Sequence, residues 1–551
     1  MKRPVRTVTP GGHNGRVNIA VAWGEDEEGD LQVLEGAVPV GPPRTVPDLA
    51  AEVARLERAE EPRWVWESSA RDYARLLASG VRVARCYDLE LIEGLLLARE
   101  NGFGEPRSAA AALARRQGLP APAEHRHEAQ PSLFGGAPAT PLADVVAVHR
   151  AQEAELGPLR LLAAAESAGG LAAAEMSREG VPWRTDVHDE LLTGLLGPRP
   201  APGMRPRLLQ DLADGISAAF GGHLNPDSPK QLLKAFAAAG HTVASTRAWE
   251  LRGVDHPAVA AVLEYKELAR LYTAHGWSWM DSWVRDGRFR PEYVVGGVVS
   301  GRWASRGGGA LQIPKVLRRA VVADPGHVLV VADAAQLEPR VLAALADDAA
   351  FAAAAAQGDL YAALADAFPE APDGPSPRDK AKIAMLSAMY GGGTGEAVAL
   401  LAVLRGRFPA AFGYVEAAAR AGERGQAVSS LLGRASPAGD AAYRELITTS
   451  AGRSAALSRG RFTRNFVVQA TAAEWALAFL ALLRGRLLAG PAEIVFFQHD
   501  EVIVHTPEAD AEAVAAEVEE AAEQARRLLF ADTPVVFPLH TSVVDCYADA
   551  K

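Results

Sequence analysis

The chain has 551 residues and is 49% hydrophobic, enough to bury several cores, and its length suggests roughly three to four domains. No apolar run approaches the ~20 residues of a membrane span, and MKRPVRTVTPGGHNGR is too polar for a signal peptide. The two cysteines, Cys86 and Cys546, form no metal-type cluster and suit a reducing cytoplasm; the formal charge of −11 does not by itself suggest a nucleic-acid partner, although a basic groove can sit on an acidic protein.

The first hundred or so residues read as α/β. RVNIAVAWG and LQVLEGAV are strands around the acidic turn EDEEGD, and RWVWE and VRVARCYD are further strands, each leading into a helix. Between Gly118 and Leu142 one residue in five is proline, against 36 in 551 for the whole chain, which marks a linker or exposed loop. Within it, Gln130-Pro131-Ser132-Leu133-Phe134 sets an apolar pair in polar surroundings. It is either a docking peptide or a patch folded back on its own surface. From Asp144 to Met280 the pattern is mostly helical, with Ser228, Pro229 and Gln231 as a helix-start signal. Beyond Tyr293, YVVGGVVSGRW and HVLVVAD are strand-like and a helical block runs to about residue 430. The helix FVVQATAAEWALAFLALLRG, a strand pair around FFQHDEVIVHT, an amphipathic helix and a last strand, LHTSVVDCY, close the chain.

Three stretches can carry chemistry. VLVVAD ends a buried-looking strand on Asp333, where an isolated charge is costly. EIVFFQHDEVIVHTP places Asp500 and Glu501 in a tight hairpin turn. If hairpin and strand are neighbours, two carboxylates converge and repel unless a cation lies between them. Oxygen ligands suit Mg²⁺, and paired ions about 3.5–4 Å apart serve in-line phosphoryl transfer. The plainer alternative is a helix-capping Asp333 and a turn-forming Asp500. In SPRDKAKIAMLSAMYGGGTG, Ser376 and Pro377 start a helix and Gly391 stops it. Arg378, Lys382, Leu386 and Tyr390 recur every four residues and form one stripe, suited to a polyphosphate at one end and a base at the other, or simply a solvated basic face with a packed Tyr.

Together these stretches resemble the DNA polymerase I family, the family A DNA polymerases. The family's first palm motif, Asp-Tyr-Ser-Gln-Ile-Glu-Leu-Arg, stands here as Asp333-Ala334-Ala335-Gln336-Leu337-Glu338-Pro339-Arg340. Its fingers motif stands as Arg378, Lys382, Leu386, Tyr390 and Gly391, and its His-Asp-Glu hairpin as His499-Asp500-Glu501. SGRWASRGGGALQIP, LNPDSPKQL and RFTRNFVVQATAAE resemble three further motifs, in the family's order over residues 155–551. The resemblance implies a mixed α/β chain in which an RNase H-like exonuclease-type domain (1–117) and a linker (118–142) precede a right-hand polymerase. Connecting helices and thumb are expected at 143–292, palm at 293–345 and 436–551, and fingers at 346–435.

It further implies two Mg²⁺ ions held by Asp333, Asp500 and the Ala334 carbonyl, with Glu501 nearby. Arg378 and Lys382 would hold the triphosphate, and Lys382 could protonate the leaving pyrophosphate. Glu338 would exclude a ribose 2′-hydroxyl, and Gln336, Leu386, Tyr390 and His499 would complete the nucleotide site. Arg302, Gln312, Arg461, Asn465 and Gln469 would line the primer-template minor groove, whose acceptors all base pairs share. Gln130, Leu133 and Phe134 resemble the peptide that docks bacterial polymerases on the sliding clamp. The expected protein is a monomeric, cytoplasmic, nucleoid-associated DNA polymerase of repair or replication, with primer-template DNA and dNTPs as partners. A catalytically idle DNA-binding relative is the alternative.

The departures fall in known places. Leu386 replaces an aromatic, Ser387 a glycine and Ala334 a tyrosine, and Pro339 is expected at the first helical position. RVNIAVAWG carries no acid where an exonuclease needs Asp-x-Glu, leaving Asp88 as the one plausible ligand and Asp144 as a weak stand-in, so proofreading is expected to be lost. No 5′-nuclease domain is expected.

Overall fold

The computed structural model describes residues 17–24, 26–122, 140–309, 313–368, 370, 376–391 and 396–550. Strand β1 (Asn18–Trp23) returns as β2 (Gly29–Glu35), whose outer edge takes β3 (Val38–Pro39) and β4 (Arg44–Val46). Helix α1 (Leu49–Glu60) starts where the Asp48 carboxylate accepts the Ala51 N–H at 2.8 Å, and crosses to β5 (Arg63–Trp66), parallel to β1. A π-turn and α2 (Ala74–Ala78) lead to β6 (Arg85–Asp88), parallel to β5. Both faces of this sheet are covered, with Ile19 and Val21 in one apolar cluster and Ala20 and Ala22 in another. Its strands therefore read as continuous rather than alternating apolar runs. Helices α3 (Leu89–Arg99), α4 (Ala109–Arg116) and α5 (Leu142–Glu155) cover the second face, so α5 belongs to this packing although it follows the proline-rich stretch.

The buried helix α6 (Arg160–Glu179) then leaves the sheet. A short β7 (Val181–Pro182) precedes α7 (Thr185–Leu196), α8 (Arg207–Ala219), α9 (Pro229–Ala238), α10 (Ala248–Leu251), α11 (Ala258–His275) and α12 (Trp277–Trp283). Ser228 caps α9 as expected, but the Gln231 side chain accepts from Asn225 N–H at 3.0 Å. Strands β8 (Val284–Arg285) and β9 (Arg288–Phe289) join β7 in a small sheet, and β10 (Glu292–Val294) pairs with β11 (Ala304–Arg306). The stretch read as one strand, YVVGGVVSGRW, is thus mostly a turn, because Gly296 (φ 59°) and Gly301 (φ 84°) reverse the chain.

Strand β12 (His327–Ala334) enters the central sheet and is followed by α13 (Leu337–Leu345), α14 (Ala349–Ala355), α15 (Leu360–Ala363), α16 (Pro377–Tyr390), α17 (Glu396–Arg407), α18 (Pro409–Glu423) and α19 (Ala441–Leu446). Helix α20 (Arg453–Leu487) begins well before the apolar segment that announced it. By length and composition it could cross a membrane, which the sequence reading did not anticipate. In the fold, 78% of its apolar window is buried against other elements, as in a core helix. The chain ends with β13 (Glu493–Gln498), β14 (Glu501–Pro507), α21 (Ala511–Phe530) and β15 (Leu539–Val544). The central sheet runs β13-β14-β12-β15, antiparallel throughout. Val330, Ala332 and Ala334 face the α20 side, and Leu329 and Val331 face the base of the α7–α12 helices.

Candidate functional site

The site begins at the reversal between β13 and β14. Only His499 and Asp500 make the turn, and His499 takes φ 58° while the Asp500 N–H reaches the Gln498 carbonyl at 2.7 Å. A left-handed residue with a side chain in so tight a turn is strained, and the surrounding strands must hold it there. Glu501, expected inside the turn, instead opens β14. Its buried carboxylate accepts a 2.5 Å hydrogen bond from the Tyr547 hydroxyl.

Central strand β12 lies between β14 and β15, which pairs Asp333 with Glu501 on one side and with His540 on the other. The Ala334 N–H donates to the Asp500 carbonyl at 2.9 Å, so acids distant in sequence share adjoining backbone. Burial, and then the neighbouring charge of Asp333, push the Asp500 carboxyl up to about 7. A carboxylate pushed up beside a second one, with a main-chain carbonyl next to them, forms a donor set that fits a hard divalent cation such as Mg²⁺. Asp333 does not cap the next helix, because the N-cap position of α13 is Gln336.

Gln336 sits at φ 56° and ties α13 to the start of α15. Its amide donates to Asp359 at 2.8 Å, and its oxygen accepts from the Leu360 N–H at 2.9 Å and from Arg340 at 3.3 Å. Pro339 lies at the third helical position rather than the first; first-turn N–H groups have no intrahelical partner, so its missing donor is tolerated. Glu338 joins three elements. It forms an ion pair with Arg302 and accepts from the Tyr390 hydroxyl at 2.7 Å. Burial, and then that bond, raise the Tyr390 pKa.

Helix α16 is capped by Ser376, which accepts from the Asp379 N–H, and ends at Gly391, φ 64°. Arg378 pairs with Asp359 at 2.8 Å. Burial pulls Asp359 up, but its bonds to Arg378 and Gln336 outweigh this and hold it at about 2. Lys382 is exposed on the same stripe and Leu386 is half-buried. A cavity of about 280 Å³ brings together Arg302, Glu338, Leu386, Tyr390, His499 and Asp500, with Gln336 at its wall. Arg378 and Lys382 lie outside that lining, on the N-terminal half of α16.

On α20, Arg461, Asn465 and Gln469 recur every four residues along one face. Gln469 hydrogen-bonds Tyr390, and Arg461 packs where a side chain at Gly391 would stand. The Asn465 Oδ1 is buried with no hydrogen-bond partner among the described residues. Gln312, and Gln130, Leu133 and Phe134 of the docking reading, lie outside the described residues. His540 and Asp359 escaped the sequence reading. Only strand register reveals the first, and only the Gln336 and Arg378 contacts reveal the second.

In the N-terminal sheet, Asp88 is 1% exposed and caps α3, accepting from Leu91 N–H at 3.0 Å and Ser69 N–H at 2.6 Å. Burial pushes it up to about 6. Asp144 lies in the first turn of α5. Among the described residues, no three His, Cys, Asp or Glu side chains gather as metal ligands.

An antiparallel sheet with paired acids at its tip, a helix bearing a basic stripe, and a long helix alongside make up a domain of the polymerase type. The family model of DNA polymerase family A matches residues 206–543, and the chain belongs to that family. It is 30% identical over 312 residues to the thermostable DNA polymerase I of Thermus thermophilus, covering 52% of this chain and 36% of the relative. DNA polymerase I of Chloroflexus aurantiacus is 28% identical over 348 residues, covering 56% and 36%. The matches span about a third of the length of these curated relatives. Among solved structures, the POL domain of Pol1 from M. smegmatis, in complex with DNA primer-template and dNTP, has a TM-score of 0.75 at 20% identity, covering 97% of this chain and 96% of that one.

Proposed function

We propose that this chain is a DNA-directed DNA polymerase that adds dNTPs to a primer 3′-hydroxyl. The observation that carries the reading is the contact between Ala334 and Asp500, which joins the two acids at one end of the sheet. Two Mg²⁺ ions, held by Asp333, Asp500 and the Ala334 carbonyl, would supply charge neutralisation at the attacking and leaving oxygens. The protein's own groups do the positioning. Arg378 and Lys382, near the N-terminus of α16, hold the triphosphate, and Lys382 hands a proton to the departing pyrophosphate. Glu338 occupies the space of a ribose 2′-hydroxyl, Leu386 and Tyr390 flank sugar and base, and His499 adjoins the primer terminus. Arg302, Gln312, Arg461, Asn465 and Gln469 follow the minor groove.

The M. smegmatis relative, solved with primer-template and dNTP, supports these partner classes. Asp88 serves as a buried helix cap, which supports loss of proofreading. The retained Asp333 and Asp500 speak against a catalytically idle DNA-binding protein. Membership of the family supports a cytoplasmic role in repair or replication, and docking on the sliding clamp through residues 130–134 is tested by titrating clamp with that peptide. The deciding experiment is primer extension by wild type, Asp333→Ala and Asp500→Ala. Only wild type is expected to extend, and equal extension by all three overturns the assignment. Efficient trimming of a mismatched end would show that proofreading is retained after all.

A further inference from the structure

Beneath the turn that carries Arg302 lies a buried ion pair that none of these assignments uses. Arg434 and Glu166 are 7% and 2% exposed and pair with one another, Glu166 from α6 and Arg434 from the loop at residues 428–436. The turn between β10 and β11 rests on them at both ends. A Cβ added at Gly296 would stand 3.4 Å from the Glu166 carboxylate, and one at Gly301 would stand 2.5 Å from the Arg434 Nε and 2.6 Å from its Cζ. The guanidinium therefore lies against bare backbone, one residue before Arg302. Only glycine meets both demands at residue 301, the close approach and φ 84°.

Arg434 is itself firmly held. Its N–H donates to the Ser430 hydroxyl at 2.8 Å and its carbonyl accepts from the Ser430 N–H at 3.0 Å. Ser430 in turn donates to Glu474 of α20, which also accepts from the Leu432 N–H at 3.0 Å, while Thr471 accepts from the Leu431 N–H at 3.1 Å. A continuous buried path thus runs from α20 through the loop and the ion pair to the Arg302 turn, and from Arg302 to Glu338 and Tyr390.

We infer that Arg434, paired with Glu166, is a positioning residue for the sugar gate: it sets the height of the Arg302 turn and so fixes where the Glu338 carboxylate stands. The inference rests on the polymerase reading, in which Glu338 faces the nucleotide sugar. Arg434 touches no substrate. A planar guanidinium on a glycine surface tolerates little displacement, and a gate that rejects one hydroxyl depends on placement within a fraction of an ångström.

The test is single-nucleotide incorporation by the full chain on a primer-template, with kcat and KM measured for a deoxy- and a ribonucleoside triphosphate. Arg434→Lys keeps the charge and loses the plane, whereas Glu166→Gln keeps the shape and weakens the pair. Each is expected to lower discrimination against the ribonucleotide about tenfold, through a rise in its kcat/KM, with deoxynucleotide kcat within about twofold of wild type. A folded variant with the wild-type ratio overturns the inference. If Arg434→Lys does not fold, Glu166→Gln decides alone. Failure of wild type to extend primers removes the polymerase reading instead, so the two failures are distinguishable.

Discussion

Arg340 offers a direct test of how the segment from Asp333 to Arg340 is held together. Its side chain is fully buried, with no exposed surface. It donates to the carbonyls of Ala335 (3.0 Å), Ala355 (2.7 Å), Val536 (3.0 Å), Gln357 (3.1 Å) and Gly358 (2.5 Å), and to the Gln336 side-chain oxygen (3.3 Å). Burial lowers its pKa to about 10, so it remains a cation at neutral pH. Arg340→Met preserves length and removes every donor, leaving main-chain acceptors dry. At ~1 kcal/mol net for each lost bond, the substitution is expected to destabilise by about 6 kcal/mol, a large fraction of a typical domain's stability. Lysine offers three donors in place of the guanidinium fork, so Arg340→Lys is expected to fall about midway. The assay is urea unfolding followed by tryptophan fluorescence, because Trp475 stacks on Phe537, next to Val536, with ring centroids 5.5 Å apart. A loss below about 1 kcal/mol for Arg340→Met would refute the reasoning.

Glu474 is fully buried and pushed up to about 7, first by burial, from an ordinary value of 4.5. Because the fold favours the protonated form, its contribution is full below about pH 4.5 and is lost as pH rises through about 7, roughly 3 kcal/mol in all. Glu474→Gln is therefore expected to flatten that slope and to raise stability at pH 8, measured by unfolding at several pH values; an unchanged slope excludes the assignment. Arg484→Met leaves Glu175 buried without its cation and is expected to destabilise by about 3–5 kcal/mol, with Glu175→Met in the same chain recovering most of it. No recovery in the double variant would show that pairing is not the cause. Chelation by EDTA is expected to abolish primer extension and added Mg²⁺ to restore it; extension that persists in excess chelator contradicts the metal reading.

The elements that position the site were legible where their signals are local. β12 and the β13–β14 hairpin announce themselves as apolar runs broken by charge, and α16 carries both of its caps in sequence, Ser376 and Gly391. The errors arise where a distant partner decides. Glu501 looks like a turn acid until Tyr547 claims it, and His540 becomes a neighbour of Asp333 only through register. Val294 to Val299 have strand propensity, yet two left-handed glycines convert them into the turn that presents Arg302. The start of α20 is not legible in the sequence because Gly452 offers no side-chain cap and its first turns are polar, so tertiary packing extends the helix beyond its own propensity.

The N-terminal sheet is not a detachable appendage. Helix α6 is shared: a Cβ at Gly169 would stand 2.7 Å from Leu477 of α20, and one at Gly170 would stand 3.0 Å from the Ser69 hydroxyl beside β5. Two adjacent glycines thus let one helix press against the polymerase core on one side and the N-terminal unit on the other. Arg484, in the last turn of α20, crosses the same boundary, donating to the Val83 carbonyl at 2.6 Å and the Ala84 carbonyl at 3.0 Å while pairing with Glu175 of α6. The upstream half of α20 carries Arg461, Asn465 and Gln469, so the helix that bears the proposed minor-groove face is fixed at its far end by the N-terminal unit. The N-terminal unit thus anchors a helix about 50 Å long and imposes its geometry whatever the role of Asp88, which caps α3.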